Sequence, residues 1–219
     1  MHGEVLTIFV ADGAGSALKG GEGAASAVQA AVKFFTEVIH QPVFDLAVPL
    51  AASCMTAIRN SISHQAEAAG LEARDYACTF LALISNRQHT LTFQIGDGAI
   101  VLDVTGKLQL VTAPMTGEYA NMTHFVTQSD CLEVMIEELF AGPARRVAVF
   151  SDGIQRLALN MAQATPHEPF FTPFFDVLAK ATAEQEDVLQ NQLAAFLNSA
   201  QVNERTDDDK SLALAVWTE

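Results

Sequence analysis

Basic residues are scarce in this chain. Twelve Lys and Arg stand against 26 Asp and Glu, a net charge of −14 over 219 residues. A nucleic-acid reader needs a basic face and a polybasic membrane anchor needs a run of Lys or Arg, so both are disfavoured. Cysteine is scarce as well. Cys54, Cys78 and Cys131 form an odd, scattered set without a CxxC spacing. That argues against a disulfide scaffold and a structural zinc site, and it fits a reducing compartment. Long apolar runs are missing: Leu46–Ile58 is the longest uncharged one and contains Pro49, short of the ~20 residues of a spanning helix. No basic segment precedes the apolar Val5–Val10, which leads straight into Asp12 and a glycine cluster, so no secretory signal is read. The expectation is a soluble cytoplasmic protein.

What is present is core material. Half of the residues are hydrophobic, which excludes disorder as the main state and supplies one real core. At ~150 residues per domain the length allows one domain or a tight pair. No repeat, low-complexity segment or interdomain linker interrupts it.

Val5–Ala11 is a β-branched and aromatic run that predicts a buried strand. Gly20–Val38 predicts a helix, with Ala24, Val28, Ala31, Val32 and Phe35 at three- and four-residue spacing. Leu46–Ala69 predicts a second, with Pro49 in its first turn and Gly70 as its stop. The period then changes. Tyr76–Ser85, Thr90–Ile95, Ala99–Val104 and Leu108–Thr112 predict short strands joined as an antiparallel meander. Thr123–Gln128, Leu132–Glu138 and Arg146–Phe150 continue as strands. Ile154–Gln163 and Phe174–Asn198 predict helices, the second broken near Thr182, with Pro166–Pro173 an irregular loop. Ser211–Trp217 closes the chain as a strand. Segregated elements of this kind are α+β rather than alternating βαβ.

Acidic residues recur where strands end in glycine turns: Asp12-Gly13, Asp97-Gly98 and Asp152-Gly153, with Asp208 just before the last strand. An aspartate there has a short, stiff stem, and the following glycine lets a backbone carbonyl approach a cation. Several such carboxylates in one place would repel each other unless a divalent ion sat between them. Oxygen-only donors suit Mg²⁺ or Mn²⁺ rather than zinc. Each Asp-Gly taken singly is equally a favoured hairpin turn.

The ordered set goes further. Val10-Ala11-Asp12-Gly13-Ala14-Gly15-Ser16 is followed by Gly21-Glu22-Gly23-Ala24 opening a helix. Cys78-Thr79 precedes an apolar strand, then come Gly96-Asp97-Gly98, Gly117-Glu118-Tyr119-Ala120-Asn121 with Thr123 and Phe125, Ser151-Asp152-Gly153-Ile154, and Asp208-Asp209-Lys210-Ser211. On these residues the chain resembles the metal-dependent protein phosphatases of the PP2C (PPM) family, in its short bacterial branch. The resemblance covers nearly the whole chain. It implies a four-layer α-β-β-α sandwich, two antiparallel sheets flanked by helix pairs, as a single domain over residues 1–219. It implies that Asp12, Asp152 and Asp208, with the Gly13 carbonyl, hold two Mg²⁺ or Mn²⁺ ions sharing a water that attacks a phosphoserine or phosphothreonine monoester. Asp97 would serve a third ion, and Thr79 and Asp209 would orient carboxylates. Phosphorylated proteins would be the substrates and a serine/threonine kinase an expected partner, with the chain a monomer.

Three departures from the family pattern stand out. Relatives carry strands before the Asp-Gly motif, bringing a phosphate-binding Arg and an acidic metal ligand; here eleven residues precede Asp12, with Glu4 the sole carboxylate. The reading is a domain short of its N-terminal strands; the alternative is a pseudophosphatase or regulatory phosphoprotein-binding module with an incomplete metal site. Many relatives carry a general-acid His after Asp-Gly, where this chain has Ala14. The segment between Asp97 and Asp152 is short, so Pro114–Asn121 takes the place of a substrate flap.

Other patterns are decoys. Gly15–Gly20 has P-loop glycine spacing, but Gly21-Glu22 replaces the required Lys-Ser/Thr. Leu18 occupies the third Rossmann glycine position, and no βαβ follows. Asp207–Ser211 contains DxDxS, but before the last strand rather than after the first. Cys54 and Arg59 are one residue too close for a cysteine-phosphatase loop. The three cysteines pack, His64 and His124 are ordinary polar positions, Phe170, Phe171, Phe174 and Phe175 are a helix start packing on the sandwich, and Arg145-Arg146 is a solvated strand start.

Overall fold

The computed structural model describes residues 5–41, 44–112, 114 and 123–217. The first apolar run is strand β1 (Leu6–Val10), followed by helices α1 (Gly20–Ile39) and α2 (Pro49–Ala69). Pro49 sits in the first turn of α2, where a missing N–H costs nothing. Gly70 ends the helix at φ 68°, and its N–H closes on the Ala66 and Glu67 carbonyls. Strands β2 (Phe80–Ser85), β3 (His89–Ile95), β4 (Ala99–Asp103) and β5 (Gln109–Thr112) come next. Beyond them lie α3 (Cys131–Val134), β6 (Ile136–Ala141), β7 (Arg146–Phe150), α4 (Gln155–Ala158), β8 (Leu159–Asn160) and β9 (Thr165–Pro166). Helices α5 (Glu168–Leu178), α6 (Glu186–Leu197) and α7 (Ala200–Asn203) lead to β10 (Leu212–Val216).

Two four-stranded sheets have the orders β1-β2-β3-β6 and β10-β7-β4-β5, and every pairing is antiparallel. The strand period of two decides the layers. Phe80, Ala82 and Ile84 of β2 pack with Phe35 of α1 and Ile58 of α2. Leu81 and Leu83, between them, pack with Ile100, Val147 and Val149 of the other sheet. Ala148 and Phe150 of β7 face outward onto Phe171 and Phe175 of α5. Three apolar interlayers therefore separate four layers, as expected for the α-β-β-α sandwich.

Several local expectations are corrected. The four strands from β2 to β5 are not one meander: β2–β3 and β4–β5 are hairpins in different sheets, and Gly96-Asp97-Gly98 carries the chain from one sheet to the other. Thr123–Gln128 is a turn rather than a strand, because its groups are bonded sideways. Val126 N–H donates to the Cys78 carbonyl at 3.0 Å, and Arg59 Nη1 donates to the Val126 carbonyl at 2.8 Å. Leu132–Glu138 divides into α3 and β6. The helix expected over Ile154–Gln163 lasts one turn; β8 and β9 then form a hairpin whose turn includes Ala164 at φ 50°. Pro166–Pro173 is largely helix, since α5 starts at Glu168 with Pro169 in its first turn and tolerates Pro173 inside. Arg146 is no solvated strand start: it bonds the buried Asp103 carboxylate through Nε at 2.9 Å and Nη2 at 2.7 Å. Glu4 and the stretch 117–121 lie outside the described residues.

Candidate active site

The strand registers bring the expected acids to one end of the sandwich. Val10 pairs with Leu81 and Phe80 with Ile95, so the end of β1, the start of β2 and the end of β3 share one edge. Ala99 and Leu212 both pair with Phe150, which puts the start of β4, the end of β7 and the start of β10 at the same edge of the second sheet. Asp12, Asp97, Asp152, Asp208 and Asp209 all line one cleft of about 230 Å³ there, with Gly13, Thr79, Thr123 and Phe125. No cationic side chain is among its described lining residues.

Each loop is tied down through its backbone. The Asp12 N–H donates to Thr79 Oγ1 at 3.1 Å, and the Thr79 N–H donates to the Asp12 carbonyl at 2.8 Å. Thr79 thus holds the Asp12 backbone rather than orienting a carboxylate. Gln94 Nε2 donates to the Gly96 and Gly98 carbonyls at 3.0 and 2.9 Å, clamping the corner that carries Asp97. Gln155 Nε2 donates to the Asp97 carbonyl, and Thr123 Oγ1 donates to Asp97 Oδ2. Ser151 joins the two remaining loops: its Oγ accepts from the Ser211 N–H at 3.1 Å and donates to the Asp209 carbonyl at 3.3 Å. A Cβ at Gly153 would run into the Asp209 carbonyl, so only glycine lets these loops approach so closely.

Packing like charges together has an electrostatic cost. The Asp12 carboxyl is pushed up to about 6, first by burial and then by Asp208, Asp209 and Asp97. Asp152 is likewise raised to about 6, by burial and then by Asp97, Asp208 and Asp12. The carboxylates line the cleft without closing on one point: among the described residues no three His, Cys, Asp or Glu side chains are gathered tightly enough to hold an ion as they stand.

A sequence reading for site residues misses Gln94 and Gln155 and gives Ser151 no role. Gln94 had one available signal. It follows Thr90 and Thr92 on the face of β3 opposite Leu91, Phe93 and Ile95, and both faces are buried.

Comparison with known proteins decides the family. The model of the protein phosphatase 2C family matches residues 1–198. The chain belongs to the protein phosphatase 2C family. It is accordingly a divalent-metal-dependent protein phosphatase. Serine/threonine-protein phosphatase 3 of Escherichia coli (strain K12) is 52% identical over 215 residues, covering 98% of this chain and 85% of that one. Among solved phosphatases, Stp1 of Staphylococcus aureus superposes at a TM-score of 0.63 with 13% identity, over 99% of this chain and 88% of its own. The catalytic domain of PstP, in complex with two manganese ions, gives 0.56 with 17% identity over 97% and 89%. At such identities these structures bear on the phosphatase 2C fold alone. No described helix is long and apolar enough to cross a membrane.

Proposed function

We propose that this cleft hydrolyses phosphoserine and phosphothreonine monoesters on proteins. Asp12, Asp152 and Asp208 with the Gly13 carbonyl would hold two Mg²⁺ or Mn²⁺ ions, and Asp97 would serve a third. One observation carries the reading: five carboxylates from four separate loops line a cleft with no described cation. The donor set fits the ions, because carboxylate and carbonyl oxygens are hard ligands. The Asp12 and Asp152 carboxyls are raised by burial first and by neighbouring carboxylates second, and a bound cation would offset both. When bound, the ions supply an acidified water as nucleophile and positive charge for the phosphoryl oxygens.

The chain's own part is positioning. Thr79 fixes the Asp12 backbone, Ser151 fixes the Asp209 loop against the end of β7, and Gln94, Gln155 and Thr123 fix Asp97. Phe125 forms an apolar part of the cleft wall. No described lining residue is His or Lys, so no described imidazole or ammonium stands in the cleft to protonate the leaving serine or threonine oxygen. Three buried free cysteines support a reducing, cytoplasmic setting. A serine/threonine kinase is the class of enzyme that must supply the substrate, and we read the chain as a monomer.

The test is hydrolysis of p-nitrophenyl phosphate and a phosphothreonine peptide with Mn²⁺, with Mg²⁺ and with EDTA. Turnover should require metal and fall by about a hundredfold or more in Asp152→Asn. Undiminished turnover in EDTA or in the variant would refute it.

A further inference from the structure

A second cleft, of about 430 Å³, shares no lining residue with the acidic one and contrasts with it in charge. Arg156, Arg205 and His167 line it, together with the apolar Leu159, Phe170 and Phe196, and no carboxylate is among its described lining residues. Both arginines are exposed. Neither forms an ion pair with any described residue, where the three pairs present use Lys19, Arg74 and Arg146. In a chain with 12 basic residues and a net charge of −14, two uncommitted guanidinium groups at one concave site are a local reversal of sign. A guanidinium left unpaired over an apolar floor is suited to a carboxylate or phosphoryl oxygen pair.

The chain fixes where this cleft lies. Arg156 follows Asp152 by four residues through a 3-10 turn and α4, a rise of about 6–8 Å. Arg205 precedes Asp208 by three residues, a reach of at most ~11 Å. A peptide in extended form advances ~3.3 Å per residue. A side chain two to four positions from a residue held at the acidic cleft therefore has the length to span that separation.

We propose that the Arg156–Arg205 cleft is a substrate subsite for an acidic side chain two to four residues from the phosphorylated serine or threonine. Phe170 and Phe196, whose rings lie 6.2 Å apart, form the floor for that residue's aliphatic stem or an apolar neighbour. The subsite rests on the phosphatase reading and deepens it, by naming an acidic phosphoprotein as the substrate class. It also answers a problem of charge, since a strongly anionic enzyme repels an anionic substrate at long range and needs a local cationic contact to select it.

Fluorescence anisotropy with Mn²⁺-loaded protein tests it. One labelled peptide carries a central threonine flanked on both sides by glutamates and a phenylalanine; its counterpart has glutamine at every glutamate. The parent chain should bind the acidic peptide about tenfold more tightly. The margin should collapse in Arg156→Gln/Arg205→Gln, survive in part in Arg156→Lys/Arg205→Lys, which keeps the charge without the fork, and shrink with added salt. Equal binding of the two peptides by the parent, or a margin retained in the glutamine variant, would overturn the proposal. Turnover of p-nitrophenyl phosphate by the parent reports separately on the phosphatase reading, because the peptide titration involves no hydrolysis.

Discussion

Replacing Asp152 with asparagine should stabilise the metal-free protein while removing its metal-dependent turnover. Asp152 is half-buried, and its carboxyl is raised from 3.8 to about 6 by burial and then by Asp97, Asp208 and Asp12. A carboxyl whose folded value lies above its unfolded one holds its proton longer in the folded state. Its contribution is fully present below pH ~3.8 and is lost as pH rises through about 6. Above that range the ionised group opposes folding. A shift of about two units corresponds to ~3 kcal/mol at full weight. Solvent reaches half of the group, so screening reduces this to about 1–2 kcal/mol. Asparagine keeps the shape without the charge. In EDTA at pH 8 the variant should therefore melt about 2–8 °C above the parent, and at pH 3.5 the difference should vanish. Millimolar Mn²⁺ should reverse the order, because the parent would gain stability by mass action and the variant lacks a proposed ligand. A variant that melts below the parent in EDTA at pH 8, or a difference independent of pH, would refute the electrostatic reasoning.

Metal affinity should follow the same groups. As proposed ligands, Asp12 and Asp152, whose carboxyls are raised to about 6, would shed protons on binding, so Mn²⁺ affinity by calorimetry should fall at least about tenfold from pH 7 to pH 5. Gly153→Ala should cost about 2 kcal/mol or more in urea unfolding, because its Cβ meets the Asp209 carbonyl; turnover should fall with it as the Asp208–Asp209 loop is pushed from β7. Arg146→Ala should cost about 3 kcal/mol, because it leaves the charge of Asp103, 2% exposed, without its cation and with the Gly106 N–H as its remaining described donor. The companion Asp103→Asn in that background should recover part of the loss in the same urea measurement.

The elements that the sequence made legible are those whose apolar spacing has a single interpretation. The helical spacing over Gly20–Ile39 decides both type and facing, whereas Phe80–Ser85 and Arg146–Phe150 are continuous apolar runs that indicate strands without showing which face meets which layer, since both faces are buried. Failures came where a residue's composition suited one state and its partners imposed another. Thr123–Gln128 is rich in β-branched and aromatic residues, but Arg59 and Cys78, distant in sequence, take its hydrogen bonds. Pro169 and Pro173 suggest a break, yet the first lies where no N–H is needed and the second gives up one bond to bury Phe171 and Phe175. The acids were legible because Asp-Gly after an apolar run is a local pattern. Gln94 and Gln155 were not, because an amide that braces a distant backbone has no local signature.

The sheet switch at Gly96-Asp97-Gly98 links the fold to its chemistry. A simple hairpin between β3 and β4 would have kept both strands in one sheet and left Asp97 on an outer edge. Crossing between sheets instead places it over the sandwich interior, facing Asp12 from one sheet and Asp152 from the other. Such a corner demands unusual backbone: Gly96 has φ 113°, and a Cβ at Gly98 would crowd the Phe150 carbonyl. It also demands a donor for carbonyls turned inward, and Gln94 supplies it from within the core. The demand runs against packing, for Gln94 is fully buried and its Oε1 finds no partner among the described residues. Leaving such an oxygen unpaired costs about 1–3 kcal/mol, where an apolar residue would cost nothing. A core position that sacrifices stability to brace a loop is explained by what the loop carries, here the Asp97 carboxylate.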